Sequence, residues 1–208
     1  MTQSKGSLAV IGLTGNSGSG KSAIAGICAE YGAYVINADE VNHENMAAGK
    51  PAYQEICAAF GTNILDEHGE INRRVLGGIV FADKAKLQAL VDITHKHVIA
   101  ETRRRINEAM VNPTKYKFIV KDAPLLIEAG MHKECDETWL AVADYGTRLQ
   151  RIRSRDGLSD EHIANRFASQ TPQAELAKYA DIVIENQFES TSALREYVKS
   201  LLDERGLI

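Results

Sequence analysis

Gly15-Asn16-Ser17-Gly18-Ser19-Gly20-Lys21-Ser22 fits the pattern G-x-x-x-x-G-K-[ST] without a mismatch. The preceding run, Leu8 to Thr14, is short, apolar and rich in aliphatic residues, and reads as a buried strand. After it, Ile24, Ile27, Cys28 and Tyr31 fall at helical spacing. Strand, glycine loop and helix stand in the order that a phosphate cradle requires. Glycines open backbone conformations closed to other residues, so successive N–H groups can converge on one anion. The helix start adds unpaired N–H groups and a positive dipole end. Backbone and side chains from Asn16 through Ser17, Gly18, Ser19, Gly20, Lys21 and Ser22 to Ala23 form the expected wrap for a nucleoside triphosphate. Lys21 is expected to reach the β- and γ-phosphates, and the Ser22 hydroxyl to bind Mg²⁺. A plain glycine-rich turn is the alternative. Lys-Ser in register and correct flanks on both sides speak against it.

Working outward, Tyr34 to Asn37 is a second apolar run, at a distance from the first that suits a βαβ unit with parallel strands. In such sheets ligands bind beyond the carboxyl ends of the strands, and Asp39 lies just past one. An Asp there is either a helix N-cap or a catalytic acid, and position alone leaves both open. Lys117 to Asp122 reads as the third strand, closed by Asp122, which is either a cap or an acid near Mg²⁺. Pro124 prevents its continuation. Thr138 to Ala143 and Ala180 to Asn186 read as the fourth and fifth strands, and Ser190 to about Leu202 as a closing helix. The expected architecture is α/β, a five-stranded parallel sheet flanked by helices in three layers, forming one domain over residues 1–208.

Between the second and third strands the strand pattern stops. Residues 40–112 read as a helical insertion. It has one helix opening at Pro51, another capped by Asn72, and a long one with Leu87, Leu90, Val91, Thr94, Val98, Thr102, Ile106 and Met110 on one face. His95 and His97 are two apart, on different helix faces, and so make a poor metal pair. Residues 146–175 hold the densest basic segment, with Arg148, Arg151 and Arg155 at i, i+3 and i+7. Like charges on one face repel, and a bound anion would offset that cost, so the segment reads as a lid over nucleotide phosphates; a solvated basic face is the alternative.

Composition narrows the classes. Hydrophobic residues make up 44% and charged residues 25%, with a net charge of −4, which gives no nucleic-acid footprint. The three cysteines lie far apart with no C-x-x-C pair, so neither a disulfide framework nor a zinc site is expected, and reduced thiols in a cytoplasmic protein are the simple reading. Met1 to Lys5 leads straight into the first strand, and no long apolar segment marks a signal peptide or membrane span.

With these stretches in place the chain resembles the dephospho-coenzyme A kinases, a family of P-loop kinases, along nearly its whole length. Thr14 to Ser22 matches the family's T-G-G-x-G-S-G-K-S, with Asn16 where glycine is usual. Asn37-Ala38-Asp39 stands at its D-A-D motif, and His43 at the basic position four residues on. Asn72-Arg73-Arg74-Val75-Leu76 resembles D-R-x-x-L, and Asp122-Ala123-Pro124-Leu125-Leu126-Ile127-Glu128 resembles D-V-P-L-L-F-E. Arg151, Arg155 to Ser159 and Gln170 follow the lid pattern, and Ala180-Asp181 and Asn186 also fit. Thr94-His95-Lys96 keeps the histidine of the usual His-Pro and lacks the proline. The resemblance implies ATP and Mg²⁺ as cofactors and dephospho-coenzyme A as the small-molecule acceptor. It implies Lys21, Asp39 and Arg155 as catalytic residues, and Arg151 with Arg155 on the nucleotide. It further implies Ser22 and Asp122 toward the metal, and Asp39, His43, Arg73, His95, Pro124 and Leu125 toward the acceptor. A nucleoside monophosphate kinase and a non-catalytic nucleotide-binding module are the rival readings. A GTPase is disfavoured, because the D-x-x-G at Asp66 to Gly69 lies in the insertion rather than after a core strand and no guanine-reading N-K-x-D is present.

Overall fold

Apolar runs buried on two faces become the middle of a sheet, and runs buried on one face become its edges. The computed structural model describes residues 7–208; the expected lead-in from Met1 lies outside the described residues. β1 (Val10–Thr14), β2 (Ala33–Asn37), β3 (Phe118–Asp122), β4 (Glu137–Val142) and β5 (Ile182–Glu185) form one five-stranded parallel sheet in the order β2-β3-β1-β4-β5. β1 pairs with both β3 and β4, and β4 with β5. Every residue of β1 and β3 is buried, which is why both read as uninterrupted apolar runs, whereas edge strand β5 alternates buried and exposed.

The helices are α1 (Lys21–Glu30), α2 (Ala38–Asn45), α3 (Pro51–Phe60), α4 (Arg73–Phe81), α5 (Lys84–Val111), α6 (Tyr145–Asp156), α7 (Asp160–Ala168), α8 (Gln173–Leu176) and α9 (Thr191–Glu204). Ile24, Ile27 and Cys28 of α1 share a core with Leu194, Val198 and Leu202 of α9 and with Phe118 and Trp139 of the sheet. Burying a side chain of this size contributes on the order of 1.5–3 kcal/mol. At the amino-terminal edge, carboxylates hold the strand starts: Asp136 accepts from the Val10 N–H at 2.7 Å, and Asp181 from the Thr138 N–H at 2.7 Å.

Contacts divide the chain into two compact units, one holding the sheet and the other Asn37–Arg105. The sequence pattern draws the insertion at 40–112, but the last turns of α5 from Ile106 onward belong to the first unit. The second unit has its own core, in which Ile56, Ile64, Leu76 and Val80 meet Leu87 and Leu90. Asn72 caps α4 as expected, accepting from the Arg74 and Val75 amides. Asp66 to Gly69 is a turn: the Asp66 carboxylate accepts from the His68 and Glu70 amides, and Leu65 bridges Ile71. Of the stripe expected on α5, Thr94, Val98 and Thr102 are buried, while its ends are only partly covered.

Glu101 on α5 accepts from Arg104 at 2.7 Å and from Arg105 at 2.8 Å, and Arg105 also pairs with Glu44 of α2. The Arg104 hydrogen bond, ahead of the Arg105 one, lowers the Glu101 carboxyl from its ordinary 4.5 to about 2. A lowered folded-state pKa stabilises above the unfolded value and is lost as pH falls through the folded value. Glu101→Gln should therefore lower Tm at neutral pH, with the gap to wild type closing as pH drops from about 4.5 to about 2. Melting followed by circular dichroism in pH steps checks this; a gap that persists below pH 2 would rule out the ion pair as its source.

Candidate active site

β1 delivers the chain to the carboxyl edge of the sheet, where the glycine loop turns it into α1. Gly18 and Gly20 have φ of 82° and 87°, and Gly20 is the N-cap of α1. A Cβ on Gly18 would stand 2.7 Å from the Arg148 carbonyl oxygen, and one on Gly20 would stand 1.9 Å from Asn186 Nδ2. Both space and backbone sign require glycine. Lys21 opens α1, and its ammonium pairs with the carboxylate of Asp122, which is 1% exposed at the end of β3. The register Leu13↔Asp122 sets this meeting. Beyond β3, the Ala123 N–H donates to the Leu13 carbonyl at 3.0 Å, and Thr14 Oγ1 donates to the Pro124 carbonyl at 3.1 Å. Leu125 then stands half exposed, and the Ser22 side chain is exposed on the first turn of α1.

The carbonyl side of the loop is held by residues far along the chain. Arg148 Nε donates to the Ser17 carbonyl at 2.9 Å. Arg151 Nη1 donates to the Gly18 and Ser19 carbonyls at 3.2 and 3.3 Å, and its Nη2 to the Asn186 carbonyl at 3.0 Å. Asn186 Nδ2 donates to the Ser19 carbonyl at 2.8 Å. Gln170 holds Ser17 twice, its Oε1 accepting from the Ser17 N–H at 3.3 Å and its Nε2 donating to Ser17 Oγ at 3.1 Å. Two amides of the expected wrap thus have protein partners besides Ser17: the Ser19 N–H donates to the Asn16 carbonyl and the Ala23 N–H to the Gly20 carbonyl, each at 3.0 Å. Lys21 and Ser22, in the first turn of α1, have no carbonyl one turn earlier within the helix to bond.

The arginines of the basic face part company. Arg148 is buried and carries its guanidinium 4.0 Å over the Phe167 ring, so it is not part of a solvated face. Arg155 is largely exposed and pairs with Asp156 at 2.6 Å; Arg166 shares that carboxylate at 2.8 Å. The Arg155 hydrogen bond, then the Arg166 one, brings the Asp156 carboxyl down to about 2. α6 ends at Gly157, and Ser159 caps α7 through the His162 N–H.

Among the acceptor candidates, Asp39 is exposed on the first turn of α2. It is not the cap: Asn37 is, accepting from the Asp39 N–H at 2.9 Å and the Glu40 N–H at 3.2 Å. The structure brings His43 and Arg73 together, with Arg73 Nη2 donating to His43 Nδ1. His95 is half-buried on α5, and His97 is tied to Glu55 at 3.0 Å. Among the described residues no group of three or more His, Cys, Asp or Glu forms a metal cluster. Mg²⁺ fits what is present, because it takes one or two protein oxygens and completes its shell with water and phosphate. Ser22 and Asp122 are such oxygen donors. No helix among the described residues is long and apolar enough to cross a membrane.

A family model described as dephospho-CoA kinase matches residues 9–192. The dephospho-CoA kinase of Carboxydothermus hydrogenoformans is 39% identical, over 95% of this chain and 94% of its own. The chain belongs to the dephospho-CoA kinase family. A relative of that name from Geobacter metallireducens is 40% identical, over 91% of this chain and 93% of its own. A solved structure from Thermus thermophilus superposes with a TM-score of 0.76 at 30% identity, covering 95% of this chain and 98% of that one. A dephospho-CoA kinase from Campylobacter jejuni superposes at 0.62 and 26% identity, covering 94% and 96%.

Two departures from the pattern of the dephospho-CoA kinases have local reasons. Asn16 Nδ2 donates to the Thr171 carbonyl at 2.9 Å, so the extra side chain ties the loop to the segment before α8. Asn37 supplies a cap that Asp would supply equally well. Sequence reasoning assigned no role to Arg148, Gln170, Thr171 or Asn186 in holding the loop. The one signal available was the crowding of Arg148 and Arg151 on a helix with too few acids to balance it. Asn37→Asp should keep the stability of wild type, while Asn37→Ala should cost about 1 kcal/mol. Chemical denaturation of the three proteins measures this; equal midpoints for all three would remove the cap.

Proposed function

We propose that the chain transfers the γ-phosphoryl group of ATP to the ribose 3′-hydroxyl of dephospho-coenzyme A, giving ADP and coenzyme A. The observation that carries this reading is the Lys21 ammonium at the head of α1, on a glycine loop whose Ser17, Gly18 and Ser19 carbonyls are held by side chains of the protein. The loose transition state of phosphoryl transfer places charge on equatorial oxygens, so position and fixed charge do most of the work. Lys21 holds the β- and γ-phosphates. Mg²⁺, held by Ser22 with Asp122, would neutralise charge on the triphosphate when bound. Asp39 is exposed and free of capping duty, which suits it to orient the acceptor hydroxyl and take its proton. Arg155 is the lid arginine we assign to the transferring group, since Arg151 is engaged beneath the loop. The His43–Arg73 pair, His95, Pro124 and Leu125 are assigned to the acceptor. Three thiols without a disulfide, Cys28, Cys57 and Cys135, suit a cytoplasmic setting.

A coupled assay of ADP release tests the reading with dephospho-coenzyme A and AMP as competing acceptors. Turnover is expected with the former; turnover with AMP alone would sink the assignment. Lys21→Ala should lower kcat by on the order of 10²-fold or more, the scale of losing one transition-state electrostatic group. Asp39→Asn should keep ATP affinity and lose most turnover; joint collapse of both would instead mark Asp39 as structural.

A further inference from the structure

Six carbonyl and side-chain contacts converge on the rear of the glycine loop, and two of the groups making them are cations without an acidic partner. Arg148 touches the Ser17 carbonyl, Gln170 Oε1 at 3.0 Å and the Phe167 ring. Arg151 touches the Gly18, Ser19 and Asn186 carbonyls. Among the described residues neither guanidinium has a carboxylate partner, whereas Arg153 pairs with Asp160, and Arg155 and Arg166 with Asp156. A buried charge is costly unless something compensates it, and Arg148 is only 7% exposed. Among the described residues the protein supplies no compensating anion.

The peptide group is the link. The Ser17 carbonyl and the Gly18 N–H belong to one peptide plane, and the Ser19 carbonyl and the Gly20 N–H to another. All these bonds are trans, so each N–H points away from the donor that grips its carbonyl. A charge-assisted bond to the carbonyl is about twice as strong as a neutral one, and bonds in a chain polarise one another. The N–H between them, that of Ser19, is already engaged by Asn16. We propose that Arg148 and Arg151 bind the triphosphate through the loop: each polarises a loop peptide from its carbonyl side, so that the Gly18 and Gly20 amides present a stronger positive field to the phosphates. Both are positioning residues, and Gln170 and Asn186 hold the loop in the geometry they need. The inference rests on the reading of the loop as the ATP site, and not on which acceptor is used.

The test measures inorganic tripolyphosphate binding to the full chain by calorimetry, alongside Tm, kcat and KM for ATP. Arg148→Gln and Arg151→Gln should each weaken tripolyphosphate binding by roughly tenfold or more, the scale of one hydrogen bond to a charged group. The fall in kcat should not exceed that loss, since ground state and transition state share the loop. Arg148→Lys, which keeps the charge and serves if the glutamine variant does not fold, should stay within about threefold of wild type. Unchanged tripolyphosphate affinity with a lowered Tm would overturn the proposal, as would a kcat loss far beyond the binding loss, which would put the guanidinium on the transferring group itself. A wild-type protein that binds tripolyphosphate in this arginine-dependent way yet leaves dephospho-coenzyme A unphosphorylated would refute the proposed activity and leave this inference standing.

Discussion

A backbone coiled so that its N–H groups converge on one side leaves its carbonyls converging on the other, and those carbonyls need donors. That constraint organises the first unit. The Ser17, Gly18 and Ser19 carbonyls draw Arg148 and Arg151 from α6 and Asn186 from the end of β5. Gln170, after α7, completes the set by holding both the amide and the hydroxyl of Ser17. Gly18 and Gly20 are needed for the same reason, because the atoms a Cβ would strike are those of Arg148 and Asn186. The glycines make room for the partners as much as for the anion.

The parallel sheet makes this convergence possible. Parallel strands finish on one edge, so residues distant in sequence arrive together without a dedicated scaffold. β1 ends in the loop, β3 in Asp122, and β5 leads into Asn186, while two residues separate β4 from α6. Lys21 and Asp122 are 101 positions apart and meet because Leu13 and Asp122 are register partners. The carboxylates at the opposite edge, Asp136 and Asp181, hold the strand starts. Chemistry and stability are thus assigned to opposite ends of the same strands.

What could be read in advance was what is encoded locally. The loop, the five strands, the cap at Asn72 and the closing helix from Ser190 rest on short patterns whose physics is complete within a few residues. The underside of the loop was not legible, because Arg148 lies 131 positions from Ser17, and on its own helix it looks like any member of a solvated basic stripe. Its burial is decided by the loop and by Phe167, not by α6. Asp39 was ambiguous for a different reason: Asn and Asp cap equally well, and only geometry shows that Asn37 took the task.

The chain enters its second unit at Asn37 and leaves it at Arg105, between two strands of an otherwise continuous sheet. A segment spliced in at one place can lengthen or shorten at small entropic cost, since loop-closure entropy grows only with the logarithm of length. It has its own core, around Ile56, Ile64, Leu76 and Val80, distinct from the one that holds Ile24 and Trp139. The insertion can therefore vary in length and packing as a cassette of its own, while the residues that grip the glycine loop, all outside it, stay as they are.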